Sequence, residues 1–234
     1  MGRPLRAQGA RHLATPRTLG SMNRRHLVFD LDGTVSDPAI GIARSLNYAL
    51  TAFGLEPIPE NSVSRYIGPP IDDAFRRIAP SAEDECVVQL VSKFRERYSD
   101  IGYSENVLYP GIPEALSYLV GNGCSLGICT TKRVDFAERI LKYFGIHELF
   151  RFVNGGDVGV QKHQQLKCLL AEGIIDLDAA MIGDRSVDIG AAHANGLRSV
   201  GVLWGHGTEA ELIEAEAQLL LSSPSQLKEL ADAA

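Results

Sequence analysis

The stretch HLVFDLDGTVSD, residues 26–37, drives a short apolar run into three carboxylates, Asp30, Asp32 and Asp37. Carboxylates this close repel one another, and burying one unpaired is costly or forces its pKa upward. A chain that builds such a cluster must supply positive charge to offset it. Four later positions can contribute to the same chemistry. Thr130 ends the β-rich run SLGICT and is followed by Thr131 and Lys132; Lys162 follows a glycine-rich stretch; Asp184 and Asp188 end AAMIGDRSVD. Carboxylates, a hydroxyl and an ammonium brought together bind a divalent cation through oxygen. Mg2+ suits the set, because it accepts few protein ligands and keeps water for substrate oxygens. The anion that such a site takes is phosphate.

These residues converge only if the elements carrying them line up. Short β-rich runs at 26–30, 125–130, 151–156, 179–184 and 199–205 each stop at a polar residue or glycine. Helical patterns at 134–145, 163–173 and 188–196 lie between the later runs, and each ends at a glycine. Strands alternating with helices imply crossover units and a parallel sheet covered on both faces, with ligands bound at the carboxyl edge of the strands. The interval between residues 30 and 125 breaks that rhythm, being far longer than a crossover requires. Within it, Ile40, Ala43, Leu46, Leu50 and Phe53 fall at helical spacing, and 82–98 reads as a second strong helix whose apolar positions form a local core. Residues 37–107 are therefore expected to form an inserted helical cap, with 22–36 and 108–234 forming the core. Residues 1–21 carry four arginines and no acid, and are read as a leader or non-native extension, with Met22 as the working start.

Composition narrows the function classes. The chain has 234 residues, 45% hydrophobic and 22% charged, with a formal net charge of −6. That balance disfavours a nucleic-acid partner, since no basic surplus exists to displace counterions. No apolar run approaches the roughly 18 residues of a membrane span. Cys86, Cys124, Cys129 and Cys168 form neither a CxxC pair nor a dense framework, which is read as reduced thiols and a cytoplasmic setting. A monomer or homodimer acting on a small phosphorylated metabolite is the expected assembly.

DLDGT, a threonine closing a strand, one lysine before a helix, and GDRSVD occur in that order. Together they resemble the haloacid dehalogenase superfamily of phosphotransferases. YIGPPIDDAF, CTTKR, MIGDRSVDIGAAHANG and GVLWGHGT are similar to its phosphoglycolate phosphatase-like members, and the insertion resembles the helical cap of the first cap class. The resemblance implies a Rossmann-like α/β core and a Mg2+-dependent phosphatase that works through an aspartyl-phosphate. Carried over by position, Asp30 is the nucleophile and Asp32 the general acid and base. Thr130 binds a phosphoryl oxygen and Lys162 neutralises it. Asp30, Asp184 and the backbone carbonyl of Asp32 hold the metal, with Thr34 and Asp188 supporting them. Gly33, Thr131, Lys132, Arg65 and Gly68 are the substrate-side candidates, with Arg65 or Tyr66 reading the organic end of the substrate. Phosphoglycolate is the leading substrate and a nucleoside 5′-monophosphate the second. A phosphomutase or a non-catalytic phosphate-binding protein would use the same fold.

Each motif also has a plainer reading. DxDGT can be a simple Asp-Gly turn, and GDRSVD a capped helix start. Thr131 can cap a helix, Lys167 competes with Lys162 but sits inside a helical pattern, and GVLWGHGT can merely pack a loop. The joint pattern outweighs these readings for the aspartates.

Overall fold

The computed structural model describes residues 25–156 and 159–231; the expected leader at 1–21 lies outside them. In chain order the elements are β1 (His26–Phe29), β2 (Ser36–Asp37), α1 (Ala39–Ala52), α2 (Ile71–Ile78), α3 (Asp84–Asp100), β3 (Val107–Leu108), α4 (Ile112–Gly121) and β4 (Ser125–Arg133). They continue with α5 (Val134–Tyr143), β5 (Phe150–Gly156), α6 (Lys162–Ala171), β6 (Ala180–Gly183), α7 (Ser186–His193), β7 (Arg198–Val202), α8 (Glu209–Glu214) and β8 (Leu219–Leu221).

Six strands form one sheet in the order β5-β4-β1-β6-β7-β8, every pairing parallel. Side chains alternate across it, as extended backbone requires. Leu27, Phe29, Ile128 and Ile182 enter one apolar layer with α4 and α5. Val28, Cys129 and Met181 enter the other with α6 and α7. Both faces are thus covered, which explains why the strands read as continuous apolar runs rather than alternating ones. The site is fixed by the central placement of β1. Its carboxyl end lies between those of β4 and β6, so the threonine, the lysine-bearing helix and the second acidic motif all open onto it.

Helices α1, α2 and α3 pack around a core of their own, including Leu46, Leu50, Phe75, Leu90 and Phe94. The chain enters and leaves this helical cap through a two-stranded antiparallel ribbon, in which Ser36 faces Leu108 and Asp37 faces Val107. Asp37 Oδ1 accepts the Ala39 N–H at 2.9 Å just ahead of α1 and also lies 3.2 Å from His206 Nε2. The ribbon and β8 are too short to show period-two patterning in the sequence. Most boundaries shift by one or two residues, and two strand ends shift by three. β4 continues to Arg133 because Arg133 pairs with Gly156, and β7 stops at Val202, leaving Leu203–Gly207 free to turn over the sheet edge.

Candidate active site

Beyond β1 the backbone turns sharply. The Leu31 carbonyl accepts N–H groups from Val35 and Ser36, and the Gly33 N–H donates to the Ser36 carbonyl at 2.8 Å. Gly33 has φ +88°, and a Cβ there would stand 2.3 Å from Asp184 Oδ2. Only glycine satisfies both the left-handed backbone and that approach. The turn sends Asp30 and Asp32 to different partners.

Asp30 joins Asp184 and Asp188 in a buried cluster whose oxygens lie within 4.8 Å of one another. Lys162, at the start of α6, lies 2.9 Å from Asp30 Oδ1 and makes a very short ion pair with Asp188. A lysine only 1% exposed is exceptional unless it is paired. Burial pulls the Lys162 ammonium down, but Asp188 and Asp30 outweigh it and hold the group charged, above the ordinary lysine range. The other Asp188 oxygen accepts the Arg185 N–H at 3.0 Å, so both of its oxygens are engaged. Asp184 accepts the His206 N–H at 2.7 Å, with Thr34 Oγ1 at 3.4 Å from its other oxygen. Burial, reinforced by Asp30, raises Asp184 to about 6. Asp30 Oδ1 has no well-directed hydrogen bond despite complete burial. Asp30 and Asp184 offer hard carboxylate oxygens, one of them without a directed hydrogen bond, and so fit a divalent cation, while Asp188 is taken up by Lys162 and the Arg185 N–H.

Asp32 turns the other way. Its Oδ2 lies 2.7 Å from Lys132 Nζ, and its Oδ1 is buried without a hydrogen-bond partner. Burial raises its pKa, against the opposing pull of Lys132. This pair faces a cleft between core and cap enclosing about 630 Å³ with its open mouth. Thr131, Lys132, Arg133 and Phe136 line the core side, and Tyr66, Gly68, Phe94, Arg95 and Tyr98 the cap side.

The substrate-side candidates separate on this map. Thr130 is buried at the sheet edge, and its Oγ1 accepts the Lys132 N–H at 3.3 Å. Thr131 caps no helix; it lies on β4 and donates from Oγ1 to the Gly68 carbonyl at 2.7 Å, while Arg133 stands at the head of α5. Gly68 lines the cleft, but Arg65 does not. Arg65 is exposed on the 3-10 turn Glu60–Tyr66, whose tight winding turns it outward when its neighbour Tyr66 faces in.

Three contributors were read only as packing or not singled out. Trp204 Nε1 donates to the Thr34 carbonyl at 2.9 Å, and His206 and Gly207 aim backbone N–H groups at Asp184, so GVLWGHGT forms a wall of the site. Arg185 Nη1 donates to the Ile67 carbonyl at 2.6 Å, tying the cap loop to the acidic motif. Tyr98 accepts from Lys132 Nζ at 2.7 Å.

The parallel sheet, the inserted helices and the cluster of acids around a buried lysine define an α/β fold with a charge-balanced acidic site at its sheet edge. The family model of haloacid dehalogenase-like hydrolases matches residues 27–202, and the chain belongs to that family. It is 35% identical over 191 residues to a 5′-nucleotidase of Pseudomonas aeruginosa, covering 80% of this chain and 86% of that one. It is likewise 35% identical over 191 residues to a phosphoglycolate phosphatase of Yersinia pestis, covering 78% and 82%. A protein of Mycobacterium tuberculosis named tyrosine-protein kinase PtkA is 33% identical over 215 residues, covering 88% of this chain and 71% of its own length. The crystal structure of a predicted phosphatase from Clostridium acetobutylicum superposes with a TM-score of 0.83 at 30% identity, over 90% of this chain and 99% of that one. The chain is an enzyme, a hydrolase acting on phosphomonoesters.

Proposed function

We propose that the enzyme hydrolyses a small-metabolite phosphomonoester through a phosphoryl group carried on Asp30. The observation that carries this reading is the pairing of Asp30 with the fully buried Lys162, 2.9 Å away, beside Asp184. Asp30 attacks phosphorus as the bond to the leaving oxygen breaks, and Asp32 gives its proton to that oxygen. Asp32 then takes a proton from water as the water oxygen attacks phosphorus, and the Asp30–phosphorus bond breaks to release phosphate. The upward displacement of Asp32 by burial favours the protonated form that the first step needs. Thr130 already accepts from the Lys132 N–H, which leaves its O–H free to donate to a phosphoryl oxygen. Lys162 spreads positive charge over Asp30 and the incoming phosphate, a stabilisation that needs no rearrangement during the reaction. Asp30, Asp184 and the Asp32 carbonyl would hold Mg2+, which supplies neutralisation of phosphoryl charge.

The helical insertion serves as the lid of this site, and its cleft selects the leaving group. Phosphoglycolate is the first substrate to test, because its carboxylate suits a cleft lined by Lys132, Arg133 and Arg95. A nucleoside 5′-monophosphate is the second reading, favoured by the rings of Tyr66, Phe94 and Phe136 in the same wall. Phosphate release from a panel of phosphoglycolate, sugar phosphates and nucleoside monophosphates, with and without Mg2+, tests the proposal. Mg2+-dependent release with a clear preference for one member supports it. Silence from folded protein across the panel would rule it out.

A further inference from the structure

The cap's longest helix reaches the general acid through one lysine. Tyr98, in the last turns of α3, is 2% exposed, and its hydroxyl oxygen accepts from Lys132 Nζ at 2.7 Å. The same ammonium lies 2.7 Å from Asp32 Oδ2. The Tyr98 ring is fixed by a parallel stack on Phe94, with centroids 5.2 Å apart, and by the edge of Phe136 at 5.1 Å. Lys132 also sits over that ring, 4.6 Å from its centroid. Among the described residues no other side chain is paired with the Asp32 carboxylate, whose second oxygen is buried and unpartnered. A lysine carries its charge on a flexible four-carbon stem, so its position is set by what holds its end. Packing alone would be served by phenylalanine at 98; the hydroxyl answers to Lys132.

We infer that Tyr98 is a positioning residue for the general acid, its hydroxyl holding the Lys132 ammonium where that ammonium fixes the Asp32 carboxylate. The inference rests on the proposed role of Asp32 and goes beyond it, because it makes the acid's aim depend on a residue of the cap. With the cap helix displaced, Lys132 loses its Tyr98 anchor, and the Asp32 carboxylate faces an ammonium that is no longer held in place. Protonation of the leaving oxygen is then coupled to the seating of α3 against the core.

The test is the dependence of kcat/KM on leaving-group acidity, measured with full-length protein in Mg2+ over alkyl and aryl phosphates. Proton donation matters most for a poor leaving group such as an alkoxide and least for an acidic phenol. Tyr98→Phe removes the hydroxyl and keeps the ring. It is expected to cut kcat/KM for an alkyl phosphate about tenfold, the scale of one hydrogen bond to a charged group. The loss should shrink steadily as the leaving group becomes more acidic. Lys132→Met, which keeps the stem, should show the same steepening to a greater degree. Adding Tyr98→Phe to Lys132→Met should bring no further leaving-group dependence, since the hydroxyl acts through the ammonium. A uniform loss across the series, no loss at all, or full additivity of the two substitutions would overturn the inference while leaving the phosphatase reading intact. A wild-type enzyme silent toward every ester would remove both.

Discussion

Asp184 shows what burial beside a second carboxylate does to an acid. Burial and the neighbouring Asp30 place its carboxyl at about 6, above the ordinary value of 3.8. A carboxyl raised in this way keeps its proton in the fold over a range where the unfolded chain has released it. Stability from this group is therefore fully present below about pH 4 and is lost as pH rises through 6, where Asp184 must ionise beside Asp30. A bound divalent cation removes that repulsion but competes with the proton for the same oxygens. The rise in Tm on adding Mg2+ should accordingly be large at about pH 8 and small at about pH 5. A rise that is equal at the two pH values, followed by calorimetry, would contradict this assignment of the ligands. The aspartates and Lys162 are legible in the sequence because each ends or follows a β-rich run, so topology alone gathers them. Tyr98 is not, because it shares the helical stripe of Val91 and Phe94 and reads as core; its hydroxyl matters only once Lys132 is seen opposite. Arg65 shows the reverse error, since a charge near a rigid turn says nothing about which way a 3-10 turn faces it.

At the scale of elements, the end of β4 decides how the core meets the cap. Its last three residues place Thr131 against Gly68 and Lys132 against Asp32 and Tyr98. They can lie there because β5 ends in two glycines. A Cβ at Gly155 would stand 2.4 Å from both Cα and N of Val134, and backbone at that point cannot yield as a flexible side chain can. Gly155→Ala should cost about 1–3 kcal/mol in urea unfolding, the usual penalty of overpacking, and should lower kcat by displacing Thr130 to Lys132. Gly190→Ala is the contrasting change: the site is exposed on α7 with nothing within 4 Å, so alanine should be neutral or stabilising by up to about 1 kcal/mol. Equal losses for the two variants would show that the close approach at 155 is not what sets the end of β4. Strands β1, β4 and β6 are readable because burial on both faces gives uninterrupted apolar runs. The extension of β4 through TTKR is not, since its polarity reflects the cleft it borders, and the short ribbon and β8 offer too few residues for any period.

The whole molecule is a parallel-sheet core carrying a helical insertion with an apolar centre, joined by a two-stranded ribbon and by contacts that include Thr131 to Gly68, Arg185 to Ile67, Lys132 to Tyr98 and Arg139 to Ser99. The interruption between residues 30 and 125 announces such an insertion, because no crossover needs that length. The cross-cleft contacts are invisible before the fold is known, since their partners lie far apart in the chain. None of the described helices is long and apolar enough to cross a membrane. Passage of the phosphoryl group through Asp30 can be caught by quenching the enzyme with acid during turnover of its best phosphomonoester and locating the phosphoryl mass by peptide mass spectrometry. One phosphoryl group is expected on the peptide containing Asp30, and none in Asp30→Asn, which should fold but not turn over. Turnover with no phosphoryl group on that peptide, or an active Asp30→Asn enzyme, would contradict it.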